Sequence, residues 1–303
     1  MRRNITIDYL KLIMSFFVII IHIPIFTNTP IVYWFLKNGI CTVAVPTFFM
    51  INGYYLVRQL GNKQKNKLFI LHLLKIYIVW SLIYLPFSYS SDFFLNIKHF
   101  FFGYFHLWYL VSMLGGVILI FVFTKVKMKL IYMFGIAISL YYSGYFLLHF
   151  HQTAQYTELI RSFLFVGFPF MTAGVFVNKY EHVIRKQKTK NIFILLFILL
   201  ILLLTESYLE YKGYIWSISH SIYISLYPLS IVFLSFILKL SRYKEQDNYV
   251  SNLSGFIYFV HYFWIFIFLG IFSDFNLFLI VLFISILSAG SLLEINKRLK
   301  YFQ

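Results

Sequence analysis

Ten apolar runs of about 20 residues dominate this sequence, and each is long enough to cross the hydrocarbon core of a bilayer as a helix. We place them at residues 6–26, 34–56, 68–88, 105–124, 129–148, 160–178, 191–208, 217–238, 252–272 and 277–296. The composition agrees, because 61% of the residues are hydrophobic and only 12% are charged. We predict an all-α polytopic membrane protein, a single transmembrane domain over 1–303, with about ten transmembrane helices around a central cavity.

Basic residues lie in short clusters between the runs and produce a net charge of +16. With the N-terminus in the cytoplasm, the cytoplasmic segments hold 20 Lys and Arg residues and the outer segments hold 3. This asymmetry predicts a multi-pass protein of the plasma membrane with both termini cytoplasmic, in contact with anionic lipid rather than with nucleic acid. Cys41 is the only cysteine, so we expect no intrachain disulfide and no cysteine-rich metal site. We also expect no metal cofactor.

The first run contains three ionisable residues, Asp8, Lys11 and His22, although it would cross a membrane. Lys11 and His22 are eleven residues apart, which is roughly three helical turns and about 16 Å, so they share one side of the helix. Ionisable groups in a spanning helix usually face a protein interior or a wet cavity. The helix therefore predicts one wall of a reaction or transport cavity. The alternative is a snorkelling Lys11 and a His22 that hydrogen-bonds a neighbouring helix.

The second and third runs also contain polar residues. Pro46 and Gly53 permit a kink and a close helix approach, and Asn52 is expected to hydrogen-bond a neighbouring helix, which is a purely structural role. His72 and Lys75 lie one turn apart on one face near the cytoplasmic end. They could hold an anionic cofactor, or Lys75 could snorkel to the headgroups.

Four further polar residues lie toward the outer side. His106 and Trp108 open the fourth run in FHLWYL, which also suits an aromatic belt at the membrane interface. Arg161 requires an anionic partner, and Glu206 lies at a similar depth. Their ion pair could serve only to lock helices together.

Late in the chain, Tyr258 lies one turn before His261 in the middle of the ninth run, where a lone histidine also suits simple packing. Together these positions predict a cavity with a basic cytoplasmic half and a histidine-rich outer half. Such a cavity suits transfer of a group from a cytoplasmic anionic donor to an outer acceptor.

The ordered set of residues resembles the acyltransferase-3 family of integral-membrane acyltransferases over essentially the whole chain. That family begins with an Asp-x-x-Arg/Lys and a histidine eleven residues after the base, which match Asp8, Lys11 and His22. Its second-helix signature VPxFFxxSGY reads VPTFFMINGY here, with Asn52 in place of the usual serine.

Later segments carry the same resemblance. The basic pair of the family's third helix reads His72 and Lys75, and the HLWYL segment and the stretch around Arg161 also match. A late SxxxYxxH-like segment reads Ser254, Tyr258 and His261. Within this family, the chain resembles in particular the membrane half of the vancomycin-resistance serine racemases. The chain ends at Gln303 without their racemase domain, so we expect no racemase activity.

The resemblance implies an O-acyltransferase, specifically an O-acetyltransferase that uses acetyl-CoA as a cytoplasmic donor. The implied acceptor is a hydroxyl of a cell-envelope or exopolysaccharide glycan, such as capsule or a lipid-linked saccharide. The implied site has three parts: catalytic His22, Lys11 and Asp8; donor-binding His72 and Lys75; and acceptor-side His106, Trp108, Arg161, Glu206, Tyr258 and His261.

Two other functions also fit the residues. A charged cavity at mid-membrane suits a small-molecule transporter, for example of an amino acid such as serine, although no inverted repeat is visible. A non-catalytic lipid-binding partner in envelope assembly would tolerate changes at both Lys11 and His22.

Overall fold

A computed structural model of the protein describes residues 2–88, 92–150, 159–214, 222–245 and 248–299. The first helices are α1 (Ile5–His22), α2 (Pro30–Trp34), α3 (Ala44–Leu56), α4 (Lys63–Ser88), α5 (Phe93–Phe102), α6 (Trp108–Lys125) and α7 (Leu130–Phe150). The later helices are α8 (Phe168–Lys179), α9 (Glu181–Lys186), α10 (Thr189–Tyr211), α11 (Leu226–Lys239), α12 (Tyr249–Phe268) and α13 (Asp274–Leu299). Two short strands are β1 (Arg2–Asn4) and β2 (Tyr243–Glu245).

Eight helical segments of the described residues are long and apolar enough to cross a membrane, and they coincide with eight of the ten predicted spans. The spans predicted at 160–178 and 217–238 correspond to shorter apolar helices, Phe163–Lys179 and Leu226–Lys239. Residues 217–221 lie outside the described part of the chain. The predicted all-α polytopic membrane fold is confirmed, with two of its ten spans shorter than expected.

The short helix α8 is an interior element. Most of its side chains are buried, and it packs against α3, α6 and α7. Two glycines allow its close contact with α3. A Cβ atom added at Gly53 would lie 2.0 Å from the carbonyl oxygen of Met171, and one added at Gly174 would lie 2.0 Å from that of Met50. The close approach predicted for Gly53 is therefore confirmed.

Three basic segments meet at one end of the helix bundle. β1 pairs antiparallel with β2, with Arg3 opposite Lys244. Lys239 Nζ donates to the carbonyl oxygens of Arg185 and of Gln187, the latter at 2.7 Å. The N-terminus and the segments before α10 and before α12 therefore share one end, as the charge pattern predicts for its cytoplasmic side.

At the other end, α5 is a short helix between the spanning helices α4 and α6. The Asp92 carboxylate caps it by accepting from the backbone N–H of Phe94 at 2.9 Å. The ring of Phe94 is 80% exposed, which suits an apolar side chain that rests in lipid.

Candidate active site

A cavity of about 150 Å³ lies among α1, α3, α6 and the segments that lead into α3 and α8. Its polar lining comes from side chains far apart in sequence: His22, Lys37, Asn38, His106, Arg161 and Tyr258. Trp108 and Tyr109 add aromatic walls. A small polar group bound here would be held largely out of lipid and water.

Three histidines converge at one wall of this cavity. The ring centroids of His22 and His261 are 5.5 Å apart, and those of His106 and His261 are 4.9 Å apart. Tyr262 contacts the cluster, with its ring centroid 5.0 Å from that of His22. No group of three His, Cys, Asp or Glu side chains among the described residues is arranged as a metal site.

Hydrogen bonds hold two of these histidines in place. The Nδ1–H of His261 donates to the carbonyl oxygen of Tyr258 at 2.6 Å, and the Tyr258 hydroxyl donates to the carbonyl oxygen of His106 at 2.6 Å. In the neutral ring, Nε2 of His261 is then an acceptor, and it is buried without a partner among the described residues. Neither ring nitrogen of His106 has a partner at hydrogen-bonding geometry within the described residues, although its side chain is buried. A bound hydroxyl or carbonyl group would complete these hydrogen bonds.

A tight turn directs His106 and Trp108 into the cavity. Gly103 has a φ of 93°, and a Cβ atom there would lie 2.4 Å from the backbone nitrogen of Trp108. Phe105 has a φ of 48°, which is unusual for an aromatic residue. The following 3₁₀ turn, Phe105–Leu107, leads directly into α6. Strained backbone of this kind often accompanies functional sites.

Two π-helical turns flank the cavity. Phe35–Gly39 carries Lys37 and Asn38, and Phe163–Gly167 carries Val166. A π turn holds an extra residue and so rotates the following side chains relative to an α-helix. Such turns are frequent at functional sites.

Most of the predicted outer residues do come together. His22, His106, Trp108, Arg161 and Tyr258 line one cavity, and His261 packs behind it against His22 and His106. Their common location agrees with the predicted histidine-rich outer half.

Glu206 is placed elsewhere, and its predicted ion pair with Arg161 does not form. The Glu206 carboxylate instead accepts from the hydroxyl of Ser225 at 3.1 Å and from its backbone N–H at 3.3 Å. The Arg161 guanidinium lies 5.8 Å from the ring centroid of Trp108. The similar depth predicted for the two side chains therefore did not bring them together, and each contacts a different residue.

The predicted cytoplasmic residues lie at the other end of α1. Asp8 is buried, and Lys11 Nζ donates to Ser251 Oγ at 3.1 Å. Lys11 also lies 5.9 Å from the ring centroid of Tyr55, and Arg58 lies 5.1 Å from the same ring. Lys11 is therefore about three turns from His22 and Asp8 about four turns, and neither lines the cavity.

His72 and Lys75 lie on a different helix, α4. His72 is half-buried and Lys75 is exposed on α4, which packs against α6. Lys11, by contrast, contacts α12 and the end of α3. Lys11 and the predicted donor-binding pair, His72 and Lys75, thus lie on different helices toward the same end of the bundle.

Sequence reasoning missed several residues of the site. Lys37, Asn38 and Tyr109 line the cavity and Arg58 lies against the ring of Tyr55, but none of the four is among the residues predicted from the sequence. Lys37 had a usable signal, because it is an ionisable residue inside the apolar run 34–56. Asn52 donates to the Tyr109 hydroxyl at 2.8 Å, which confirms its predicted hydrogen bond to another helix.

Comparison with known proteins identifies the family of this chain. The family described as an acyltransferase domain matches residues 4–293. Two amino-acid racemases of Enterococcus faecalis are similar: one is 26% identical over 211 residues, 62% of this chain and 30% of the relative. The other is 25% identical over 222 residues, 64% of this chain and 32% of the relative. The chain thus spans about a third of the length of these relatives. No solved structure matches it. Because the family match covers nearly the whole chain, the protein belongs to the acyltransferase-3 family of membrane acyltransferases.

Proposed function

We propose that the protein is an O-acetyltransferase that moves an acetyl group from cytoplasmic acetyl-CoA to a hydroxyl of a cell-envelope or exopolysaccharide glycan. The observation that carries this proposal is the position of His22. It ends α1, opens into the cavity and has His106 and His261 beside it. A neutral imidazole in such a place suits a general base.

In the proposed step, His22 takes the proton of the acceptor hydroxyl as that oxygen attacks the thioester carbonyl. The C–O bond forms, the C–S bond breaks, and the thiolate of CoA leaves. His22 then returns the proton to the thiolate. The free ring nitrogens of His106 orient the acceptor hydroxyl or the carbonyl oxygen.

The donor is proposed to enter from the basic end. Lys11 and Arg58 flank the ring of Tyr55, and His72 and Lys75 lie on α4. These cations suit the phosphates and adenine ring of CoA. The extended pantetheine arm of CoA separates its phosphates from its thioester. The distance of about three turns between Lys11 and His22 is thus compatible with one donor that reaches both.

Substitution of His22 tests this function. Purified wild-type protein in membranes that contain envelope glycan should release CoA thiol from acetyl-CoA and transfer radiolabelled acetyl to the glycan. His22→Ala should lower both rates at least a hundredfold, because general-base catalysis contributes about 10²–10⁴-fold. The exposed His182, on α9, provides a matched control, and His182→Ala should retain full activity.

Two results would contradict the proposal. One is a folded His22→Ala protein that transfers acetyl at the wild-type rate. The other is a wild-type protein that consumes no acetyl-CoA but carries serine into proteoliposomes, which would indicate a transporter.

The proposed location is the plasma membrane with both termini in the cytoplasm. Cys41 is buried, so a Cys41→Ala background with single engineered cysteines can report sidedness. Lys212→Cys and Lys127→Cys both replace exposed residues. An impermeant maleimide added to intact cells should label the Lys212→Cys protein and spare the Lys127→Cys protein. The reverse labelling would invert the orientation.

A further inference from the structure

The cavity beside His22 has an unbalanced positive charge. Lys37 and Arg161 both line it, and no Asp or Glu from the described residues does. Both cations are half-buried, so water screens them less than it would at an open surface. A positive cavity without a counter-charge is suited to an anion.

Aromatic rings, rather than carboxylates, support the two cations. The Arg161 guanidinium lies 5.8 Å from the ring centroid of Trp108, and Lys37 Nζ lies 5.4 Å from that of Tyr33. The described part of the chain offers neither of them an ion pair. A cation–π contact leaves N–H donors free, and a guanidinium has five of them in a fork that fits two anionic oxygens.

Two acids on α10 already accept hydrogen bonds from other residues. Glu206 accepts from Ser225, and Glu210 accepts from the hydroxyl of Tyr223 at 2.6 Å. Neither lines the cavity. Among the described residues no carboxylate therefore balances Lys37 and Arg161 at the cavity, and an anionic ligand would supply that charge.

The position of Arg161 also indicates a ligand larger than an acetyl group. A second cavity of about 300 Å³, which includes His99 and Tyr104 in its lining, adjoins the first, because Trp108 and Arg161 line both. A molecule that reaches His22 with a hydroxyl could therefore extend past Arg161 into the second cavity.

We propose that the acceptor carries an anionic group, a phosphate or a carboxylate, which Arg161 and Lys37 bind while its hydroxyl faces His22. This assignment rests on the proposed function for the identity of the ligand as an acceptor. The binding itself requires no donor. The charged pair selects acceptors with anionic oxygens over neutral sugars of the same shape.

Calorimetric titration of the full-length protein in detergent tests the proposal directly. The probes are N-acetylglucosamine 1-phosphate against N-acetylglucosamine, and glucuronate against glucose. The phosphate pair and the carboxylate pair together show which anion is preferred. We expect the anionic member of at least one pair to bind at least tenfold more tightly, since a hydrogen bond to a charged group is worth about 1.5–3 kcal/mol.

Arg161→Gln and Lys37→Gln should each reduce that preference about tenfold and leave the affinity for the neutral sugar unchanged. Arg161→Lys should retain part of the preference, because it keeps the charge but loses the fork. Lys212→Gln removes an exposed positive charge that does not line the cavity, and it should change nothing. If Arg161→Gln does not fold, as judged by thermal unfolding, Lys37→Gln decides the question.

Several results would overturn the proposal. They are equal affinity within both pairs of probes, no binding of any of them, or an unchanged preference in the Gln variants. Displacement of the bound anionic probe by adenosine 3′,5′-bisphosphate, the phosphate-bearing head of CoA, would assign the cations to the donor instead. A wild-type protein that prefers the anionic sugars but consumes no acetyl-CoA would refute the proposed function and leave the anion site intact.

Discussion

Substitution of Gly53 by alanine tests the helix contact on which the cavity depends. The added Cβ would lie 2.0 Å from the carbonyl oxygen of Met171, whereas carbon and oxygen normally approach to about 3.3 Å. α3 and α8 would therefore have to separate by about 1.3 Å at this point. The clash is with backbone, which cannot rotate away as a side chain can. We expect a loss of about 3 kcal/mol in the free energy of unfolding, the upper part of the range for overpacking.

Thermal unfolding of purified protein in detergent measures this effect. At roughly 2 °C per kcal/mol for a chain of this size, the melting temperature should fall by about 6 °C. Gly174→Ala introduces the reciprocal clash, because its added Cβ would lie 2.0 Å from the carbonyl oxygen of Met50. It should lower the melting temperature by a similar amount. Activity should fall as well, because α3 contributes Pro46 and α8 contributes Phe170 to the cavity lining.

Gly135 is the matched control, since a Cβ atom there meets nothing within 4 Å and the residue is exposed on α7. Gly135→Ala should be neutral or stabilise the protein by up to about 1 kcal/mol, because alanine favours the helix. If Gly53→Ala melts at the temperature of Gly135→Ala, the close packing of α3 on α8 is refuted.

Three further predictions concern hydrogen bonds and charge near the site. Tyr258→Phe should remove the hydrogen bond from the Tyr258 hydroxyl to the carbonyl oxygen of His106. The protein should lose about 1 kcal/mol of stability in thermal unfolding, and acetyl transfer, followed by thiol release, should slow about tenfold. Asn52→Leu should cost about 1–3 kcal/mol because the buried Tyr109 hydroxyl loses its donor, and the double variant with Tyr109→Phe should recover part of that cost in the same melting assay. Arg58→Gln should raise the KM for acetyl-CoA about tenfold with little change in kcat, as measured by initial rates.

Exposed residues of the same type serve as controls for two of these variants. Tyr132→Phe alters a ring that is 62% exposed and should leave stability and rate unchanged. Lys63→Gln removes an exposed positive charge just beyond Arg58 and should leave the KM unchanged. Equal effects in variant and control would attribute the result to general perturbation of the protein. For Asn52, a double variant no more stable than Asn52→Leu would contradict the role of Tyr109.

The sequence alone was sufficient for the membrane fold and for the separation of Lys11 from His22 along the first helix. Long apolar runs can satisfy their backbone in lipid only as helices, so the spans could be assigned without contacts. The fixed rise of a helix then separated Lys11 from His22 by about 16 Å, which the structure retains along α1. The sequence also predicted the interhelical hydrogen bond of Asn52 and the close helix contact at Gly53. An amide in the middle of a span requires a hydrogen-bond partner, and glycine lets two helix backbones approach closely.

Tertiary structure alone decided which residues of equal depth meet. The sequence places Arg161 and Glu206 at similar depth. In the structure, Arg161 contacts the ring of Trp108 and Glu206 accepts from Ser225, because packing determines how each helix is rotated and which helices are its neighbours. Lys37 reaches the cavity through a π turn, whose extra residue rotates the side chains that follow by roughly 100°. A periodic pattern in the sequence assumes constant rotation along each helix and says nothing about the partner helix. The cavity depends on both, so only the folded bundle brings its charges together.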